Sequence, residues 1–264
     1  MKFENIDLAE IFLLNNNYYR LNVYFHKLMD KPDCFRKGTR FDNIIEIYHN
    51  DQWLRNKLLI LLEPIEIQIR TRISYELGMK YGADCFYQNS NYKNSSVHKD
   101  IQKAFLIEIN RNKKDPVIIH HNQSYQGRFP IWVIVEFLSF NAISKFFGNL
   151  DEKDKKRIAS LSFGINEYFL GQWLHSLSVL RNICAHYGYL YQREYSVRPK
   201  LFKEFNWDTE KNTDLFALCL VLKKLSEEIK WKEFTNFICE REKNISSFQV
   251  KDYGFPENWE EFLD

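Results

Sequence analysis

One short segment of the chain combines side chains that can cleave a phosphodiester. Residues 178–187 read Ser-Val-Leu-Arg-Asn-Ile-Cys-Ala-His-Tyr and place Arg181, Asn182 and His186 in an otherwise apolar stretch. Histidine exchanges protons near neutral pH, and arginine offers a fixed fork of donors that matches phosphate oxygens. These residue types indicate RNA cleavage without a metal, with Arg181, Asn182 and His186 as the candidate catalytic residues.

The segment lies at the end of a predicted helix over residues 167–187. Apolar residues recur there at helical spacing and predict a buried stripe of Leu170, Trp173, Leu174, Leu177 and Leu180. Gly188, just past His186, predicts the end of this helix.

Arg181 and His186 do not share one face of such a helix. Five positions correspond to a rotation of about 140° and a rise of about 7.5 Å. Asn182 and His186 are neighbours four positions apart, so the amide can hold the imidazole or a phosphate beside it. The spacing favours a site completed by long side chains or by the same helix of a second copy across a two-fold axis. We therefore expect a homodimer.

Spacing alone identifies little, because Arg20 and His26 fit a looser version of the same pattern. We interpret that pair as structural, since Tyr and Leu neighbours make the segment typical of a packed amphipathic helix. Arg181 differs because Asn182 follows it at once. An arginine in an apolar helix is also costly unless it pairs with another group or binds a ligand.

The composition of the chain limits the class of protein that contains this site. The chain has 264 residues, of which 45% are hydrophobic and 16% aromatic, enough for a packed core. No apolar run predicts a signal peptide or a membrane span, so we expect a cytoplasmic protein. Five scattered cysteines argue against a disulfide framework. A net charge of +2 is too small to indicate nucleic-acid binding, so an RNA site must be a local patch.

The dominant period along the chain is helical, which predicts a single all-α domain over residues 1–264. The longest predicted helix runs from Phe41 to Leu77, with Gly78 as its stop and a kink or break at Pro64. Further helices are predicted over residues 8–28, 97–111, 130–147, 153–161, 167–187, 213–230 and 232–243. Loops are predicted at residues 31–33, 82–94, 115–128 and 195–207, where Gly, Pro, Asn and Ser collect.

The motif Arg-Asn-x-Cys-Ala-His resembles the active-site signature of the HEPN superfamily of ribonucleases. More closely, the chain resembles the abortive-infection AbiD/AbiF type of phage-resistance proteins. The segments that carry this resemblance are residues 17–21, 41–55, 63–74, 130–140 and 172–186. The resemblance implies a HEPN-like helical bundle elaborated with additional N-terminal helices, and metal-independent endoribonuclease activity. It also implies frequent dimerisation and, in some members, a small structured RNA as partner.

Further candidate residues lie outside the motif, some of them suggested by the resemblance. Glu66 and Arg70 resemble a Glu-x-x-x-Arg element that supports the active site, although an intrahelical salt bridge without a catalytic role explains the pair equally well. Glu136 is expected to orient Arg181 or to satisfy a buried polar partner. Candidate RNA-binding residues after the motif are Arg193, Tyr187 and Tyr191. Tyr189 stands where family members often have an arginine, which weakens an RNA contact at that position.

We expect neither a metal nor another cofactor. His120 and His121 lack further ligands at metal spacing, and nothing resembles a Gly-rich phosphate loop, a Ser-His-Asp arrangement or a zinc motif.

The predicted mechanism uses the 2′-hydroxyl of the RNA as nucleophile. His186 transfers protons, Arg181 holds the phosphate and Asn182 fixes the geometry. An alternative hypothesis is a non-catalytic RNA-binding protein that forms a ribonucleoprotein with a small structured non-coding RNA. A third is a purely structural helical bundle with a buried arginine and histidine. A toxin must be held in check, so a cognate small non-coding RNA or an antitoxin is an expected partner. The RNA that is cut and the trigger of activity do not follow from these residues.

Overall fold

Helices dominate the computed structural model, which describes residues 1–205, 207 and 213–263. The helices are α1 (Ile6–Asn15), α2 (Tyr18–Lys27), α3 (Phe41–Tyr81), α4 (Ser95–Arg111), α5 (Pro116–Ser124), α6 (Ile131–Phe137), α7 (Phe140–Gly148), α8 (Glu152–Phe163), α9 (Glu167–Ala185), α10 (Leu215–Leu225), α11 (Glu228–Asn244) and α12 (Trp259–Leu263). One antiparallel hairpin joins β1 (Met29–Lys31) to β2 (Cys34–Phe35). The predicted all-α class is confirmed.

Helix α3 is one continuous helix of 41 residues with Pro64 inside it. The predicted stop at Gly78 is wrong, because Gly78 lies in the helix and the chain leaves it at Gly82. Gly82 has a φ of +86° and donates from its backbone nitrogen to the carbonyl of Gly78 at 2.9 Å. A Cβ at Gly78 would come within 3.4 Å of the Ile131 side chain. That separation is an ordinary van der Waals contact, so nothing there requires glycine, and the helix continues through Gly78 to Tyr81.

Two predicted helices are each divided into two by an N-cap. Asn17 accepts a hydrogen bond from the backbone nitrogen of Tyr19 at 2.9 Å and starts α2, so the predicted helix over residues 8–28 is α1 and α2. Ser139 accepts from the backbone nitrogen of Ala142 at 3.2 Å and starts α7. Asparagine and serine side chains satisfy the first free amides of a helix and so favour a new start.

The predicted loop over residues 115–128 contains a helix, α5. Asp115 caps it by accepting from the backbone nitrogen of Val117 at 2.8 Å, and Pro116 occupies the first helical position. Proline is well placed there because the amide it lacks would have no partner in the helix. The predicted helices over residues 97–111, 153–161 and 167–187 agree within two residues at each end with α4, α8 and α9.

The chain divides into two compact units, each with its own core. The first contains residues 1–61 and 180–264, and buries an aromatic cluster around Phe216. The second contains residues 62–179, where α4 packs against α6 and α7 around Phe86 and Phe146. Helices α3 and α9 each contribute residues to both units. The predicted single domain stays a prediction.

None of the helices in the described ranges combines the length and the apolar character that crossing a membrane requires.

Candidate functional site

Helix α9 carries the motif and is anchored by the stripe that its sequence predicts. Leu170, Trp173, Leu174, Leu177 and Leu180 are all fully buried, which confirms the predicted core face. Burial of large apolar side chains is the main source of stability in a fold of this size. Arg181, Asn182 and His186 follow this stripe in the chain, and Arg181 and Asn182 lie near the end of α9.

The end of α9 is a Schellman motif in which a tyrosine takes the place that glycine usually fills. The backbone nitrogen of Gly188 donates to the carbonyl of Ile183 at 2.7 Å, and that of Tyr187 donates to the carbonyl of Cys184 at 3.3 Å. Tyr187 has a φ of +60° and is the left-handed residue. The expected terminator, Gly188, lies one position further on. A tyrosine in this conformation is strained, and such strain collects at functional sites.

Gly188 is required for another reason, the closeness of the chain to the turn before it. A Cβ at this position would lie 2.9 Å from the side-chain Cγ2 of Ile183 and 3.1 Å from its carbonyl oxygen. Only glycine fits this approach without a shift of the turn that follows His186.

The three predicted catalytic residues differ in exposure. His186 is exposed, whereas Arg181 and Asn182 are half-buried. The backbone nitrogen of His186 donates to the carbonyl of Asn182 at 3.0 Å, so His186 closes the last turn of the helix. An exposed imidazole at a helix end is open to a substrate that approaches from solvent.

Cys184, inside the motif, is buried and chemically quiet. Burial raises the pKa of its thiol to about 12, so the nucleophilic thiolate is scarce at neutral pH. Its small side chain fills core space beside the motif, and its buried thiol is not a candidate nucleophile.

Side chains from α2 and α3 hold the segment that follows His186. Arg20 donates from Nη1 to the carbonyl of Tyr187 at 3.1 Å, and its guanidinium lies 5.6 Å from the centre of the Tyr187 ring. Arg55 donates from Nη1 to the carbonyl of Gly188 at 3.0 Å. Asp51 accepts from the backbone nitrogen of Leu190 at 2.6 Å. All these groups belong to the first unit.

Asp51 is the most enclosed of these groups. It is fully buried, and its Oδ2 also accepts from the hydroxyl of Tyr24 at 2.8 Å and from the backbone nitrogen of Tyr191 at 3.3 Å. Burial raises the pKa of this carboxyl, while its hydrogen bonds and the Arg55 guanidinium, 3.9 Å away, oppose the rise. The carboxylate thus fixes the backbone just after the motif.

Asp51, Arg55 and the positioning role of Arg20 were missed from the sequence. A signal existed for the first two, because Asp51 and Arg55, four positions apart, interrupt the buried face of α3 between Ile47 and Leu58. Charged residues enter a buried face only when they are paired or used. Arg20 is exposed and was interpreted as a polar edge of α2, yet it reaches the turn after His186.

The predicted RNA-binding residues divide by exposure. Tyr187 is 66% exposed, whereas Tyr191 is buried against the ring of Tyr253, which disfavours direct contact with RNA. Arg193 is half-buried and donates to the carbonyl of Tyr189 at 3.3 Å, with its guanidinium 4.5 Å from the Tyr189 ring centre. Its contacts within the protein hold the chain after the motif. The RNA-binding roles of all three stay predictions.

The predicted supporting residues Glu66, Arg70 and Glu136 belong to the second unit, whereas Arg181, Asn182 and His186 belong to the first. Arg70 is buried, pairs with Glu66, and donates from Nη1 to the carbonyl of Leu138 at 2.6 Å and to that of Val135. These carbonyls end α6, where the helix itself leaves acceptors without a donor. The pair thus stabilises the break between α6 and α7. Glu136 is exposed on α6, so it is not a buried polar group.

No group of three or more His, Cys, Asp or Glu side chains within residues 1–205, 207 and 213–263 is arranged to hold a metal ion. His120 and His121 lie on α5, in the second unit.

A family model with the description Abi-like protein matches residues 11–192, which is more than half of the chain and includes the whole motif. This confirms the predicted resemblance to the abortive-infection type of protein. No curated protein and no solved structure matches the chain.

Proposed function

The chain belongs to the Abi-like protein family, and from this premise and the geometry of its motif we propose that it is a metal-independent endoribonuclease of the HEPN type. The family suggests a role in abortive infection, a defence against phage. The observation that carries the proposal is the placement of His186. It is exposed at a helix end, and the next residues are held by Arg20, Asp51 and Arg55.

Cleavage then follows from proton transfer and charge stabilisation. The 2′-hydroxyl loses its proton to a neutral imidazole, its oxygen bonds to the adjacent phosphorus, and the bond to the 5′-oxygen breaks as that oxygen receives a proton. The products are a 2′,3′-cyclic phosphate and a 5′-hydroxyl. General acid–base catalysis of this kind contributes roughly 10²- to 10⁴-fold. DNA is spared because it has no 2′-hydroxyl.

Arg181 and Asn182 complete the site. The guanidinium of Arg181 binds the non-bridging oxygens and stabilises the additional negative charge of the transition state. Asn182, one turn before His186, orients the imidazole or the phosphate.

The site is shared by two copies of the chain. Because Arg181 and His186 point about 140° apart around a helix, one helix does not present both to one phosphate. In a two-fold dimer, His186 acts as the base and His186 of the partner subunit as the acid. A cognate small RNA or an antitoxin holds this activity in check until infection.

The proposal is tested by His186→Ala with His26→Ala as the matched control. His26 is also exposed and follows Arg20 at a similar spacing, but it lies outside the motif. We expect His186→Ala to abolish cleavage of single-stranded RNA while RNA affinity and melting temperature stay nearly unchanged, and His26→Ala to cleave normally.

Other results of this comparison separate the alternatives. Cleavage by the His186→Ala protein contradicts the assigned role. If no cleavage is found in either protein but RNA binds tightly and depends on Tyr187, whose exposed ring lies beside Arg20, the non-catalytic ribonucleoprotein is the better account.

A further inference from the structure

The second unit contains a cleft that the motif does not use. It has a volume of about 630 Å³ and lies where the end of α5 and the chain leading into α6 meet the segment after α3. Cavities that bind small molecules usually have volumes of about 300 to 1,000 Å³ and combine apolar walls with a few polar groups. The side chains that matter here are Asp84, His120, Tyr125, Arg128 and Trp132.

Exposed aromatic rings form much of the wall. Trp132 is 53% exposed and Tyr125 is 56% exposed, although each has apolar surface that folding normally buries. The imidazole of His120 lies edge-on to the Tyr125 ring, with ring centres 5.5 Å apart. These rings offer stacking surfaces that the protein itself leaves uncovered.

The wall is fixed in place before any ligand binds. His121 stacks on Phe129 at a centre-to-centre distance of 5.2 Å, and its Nδ1 lies 2.9 Å from the carbonyl of Val117. The backbone nitrogen of Phe129 donates to the hydroxyl of Tyr87 at 3.1 Å. A preformed site loses less entropy when it binds.

The turn at the end of α5 also shows strain at the cleft. Gln126, which lines the cleft, has a φ of +55°, and the next residue, Gly127, has a φ of +74°. A glutamine in the left-handed region is uncommon, and such strain collects at ligand sites.

One cation and one carboxylate complete the lining. Arg128 pairs through Nε with Asp84 Oδ2 at 3.1 Å, and both side chains are about half exposed. The guanidinium lies 5.3 Å from the ring centre of Tyr87. Its two terminal nitrogens have no hydrogen-bond partner among the residues that the structure describes, so their four N–H donors remain for an anion.

We propose that this cleft binds one nucleotide. The base stacks on Trp132 and Tyr125, Arg128 pairs with the phosphate, and the Asp84 carboxylate accepts from a sugar hydroxyl or an exocyclic amine. Stacking on aromatic rings beside a positive group is how proteins hold unpaired bases. A purely apolar ligand would cover the charged groups of Asp84 and Arg128 without offering them a hydrogen-bond partner, which costs free energy.

The nucleotide comes either from an RNA chain or from the free pool, and the chemistry of recognition is the same. This inference does not rest on cleavage by His186. A protein that never cuts RNA could still bind a nucleotide here.

Calorimetric titration with AMP, with a twelve-residue oligoadenylate and with inorganic phosphate tests the proposal. All proteins carry His186→Ala, and the oligonucleotide is recovered afterwards to show that it is intact. The variants are Trp132→Ala and Arg128→Gln. Their matched controls are Tyr75→Ala, an exposed aromatic on α3, and Arg111→Gln, an exposed arginine paired with Glu108 on α4.

We expect AMP, the oligonucleotide or both to bind, with affinity lowered at least about fivefold by Trp132→Ala and by Arg128→Gln but not by the controls. Binding of AMP alone identifies a mononucleotide site, and binding of the oligonucleotide alone identifies an RNA contact. The proposal is overturned if neither binds. It is also overturned if the cleft variants bind like the controls, or if phosphate binds as tightly as AMP and is insensitive to Trp132→Ala. Since AMP contains no bond that the proposed reaction cuts, failure here leaves the proposed nuclease untouched.

Discussion

Arg55 donates a hydrogen bond to the carbonyl of Gly188 at 3.0 Å, although 133 positions separate the two residues in the chain. The contact joins the buried face of α3 to the turn that follows His186. With Asp51, which accepts from the backbone nitrogen of Leu190, it makes the position of the motif's end depend on a distant helix. The turn that follows His186 is therefore set by tertiary structure and not by α9 alone.

Replacement of Arg55 by methionine tests this dependence. The substitution keeps most of the side-chain volume but removes the donor to Gly188 and the cation nearest the buried Asp51. We expect the free energy of unfolding to fall by about 3 kcal/mol, because an unpaired buried charge is costly. RNA cleavage should fall at least about tenfold at temperatures where the variant is folded, with kcat affected more than KM.

Arg72→Met is the matched control for that variant. Arg72 lies on the same helix and has an acidic partner four positions on, Glu76, but it is partly exposed. A loss of activity of equal size in both variants would show that α3 acts only through general stability. Denaturant titration and cleavage rates measure the two effects separately.

Substitution of Gly188 by alanine should disturb the same turn from the other side. The added Cβ meets Ile183 at 2.9 Å, closer than such contacts allow, so we expect a loss of about 1 to 3 kcal/mol and reduced cleavage. Gly148→Ala is the control, because nothing lies within 4 Å of a Cβ there and its φ is not left-handed. If both variants melt at the same temperature as the parent, the close approach at Gly188 does not exist.

Cysteine chemistry reports on the packing beneath the motif. At neutral pH, iodoacetamide should modify the exposed Cys34 rapidly and leave the buried Cys184 intact until the protein unfolds. The pKa of Cys184 rises from 9.0 to about 12 on folding. This group therefore contributes stability that is fully present below about pH 9 and is lost as the pH rises towards 12. Cys184→Ala should flatten the fall in stability across that window. Labelling of Cys184 in the folded protein at neutral pH would contradict its burial.

Mixed dimers test whether two subunits share the site. A protein that carries both Arg181→Ala and His186→Ala, added in excess to the unaltered protein, should suppress activity more steeply than dilution does, because mixed dimers lack complete sites. Activity that falls only in proportion to the unaltered subunits, or an active monomer in sedimentation experiments, would refute the shared site. A monomer bound to a dedicated RNA would then be the better account.

The helices and buried faces that depend on local residue patterns could be predicted from the sequence. The apolar residues from Leu170 to Leu180 recur at helical spacing, so α9 and its buried face could be predicted. The breaks at Asn17 and Ser139 follow from capping, which competed with helical periodicity and prevailed. The turn after His186 could not be predicted, because Asp51 and Arg55 reach it across more than 130 positions. The left-handed conformation of Tyr187 could not be predicted either, because glycine adopts this conformation more often than tyrosine and Gly188 is the next residue.

The chemistry of the cleaved ends tests the central claim most directly. Single-stranded RNA is incubated with the unaltered protein and with His186→Ala in excess EDTA, and the termini are identified by mass spectrometry. The account predicts cleavage by the unaltered protein alone, with 2′,3′-cyclic phosphate and 5′-hydroxyl ends. Cleavage that strictly requires magnesium or manganese, or products with 3′-hydroxyl ends, would contradict the roles assigned to Arg181 and His186.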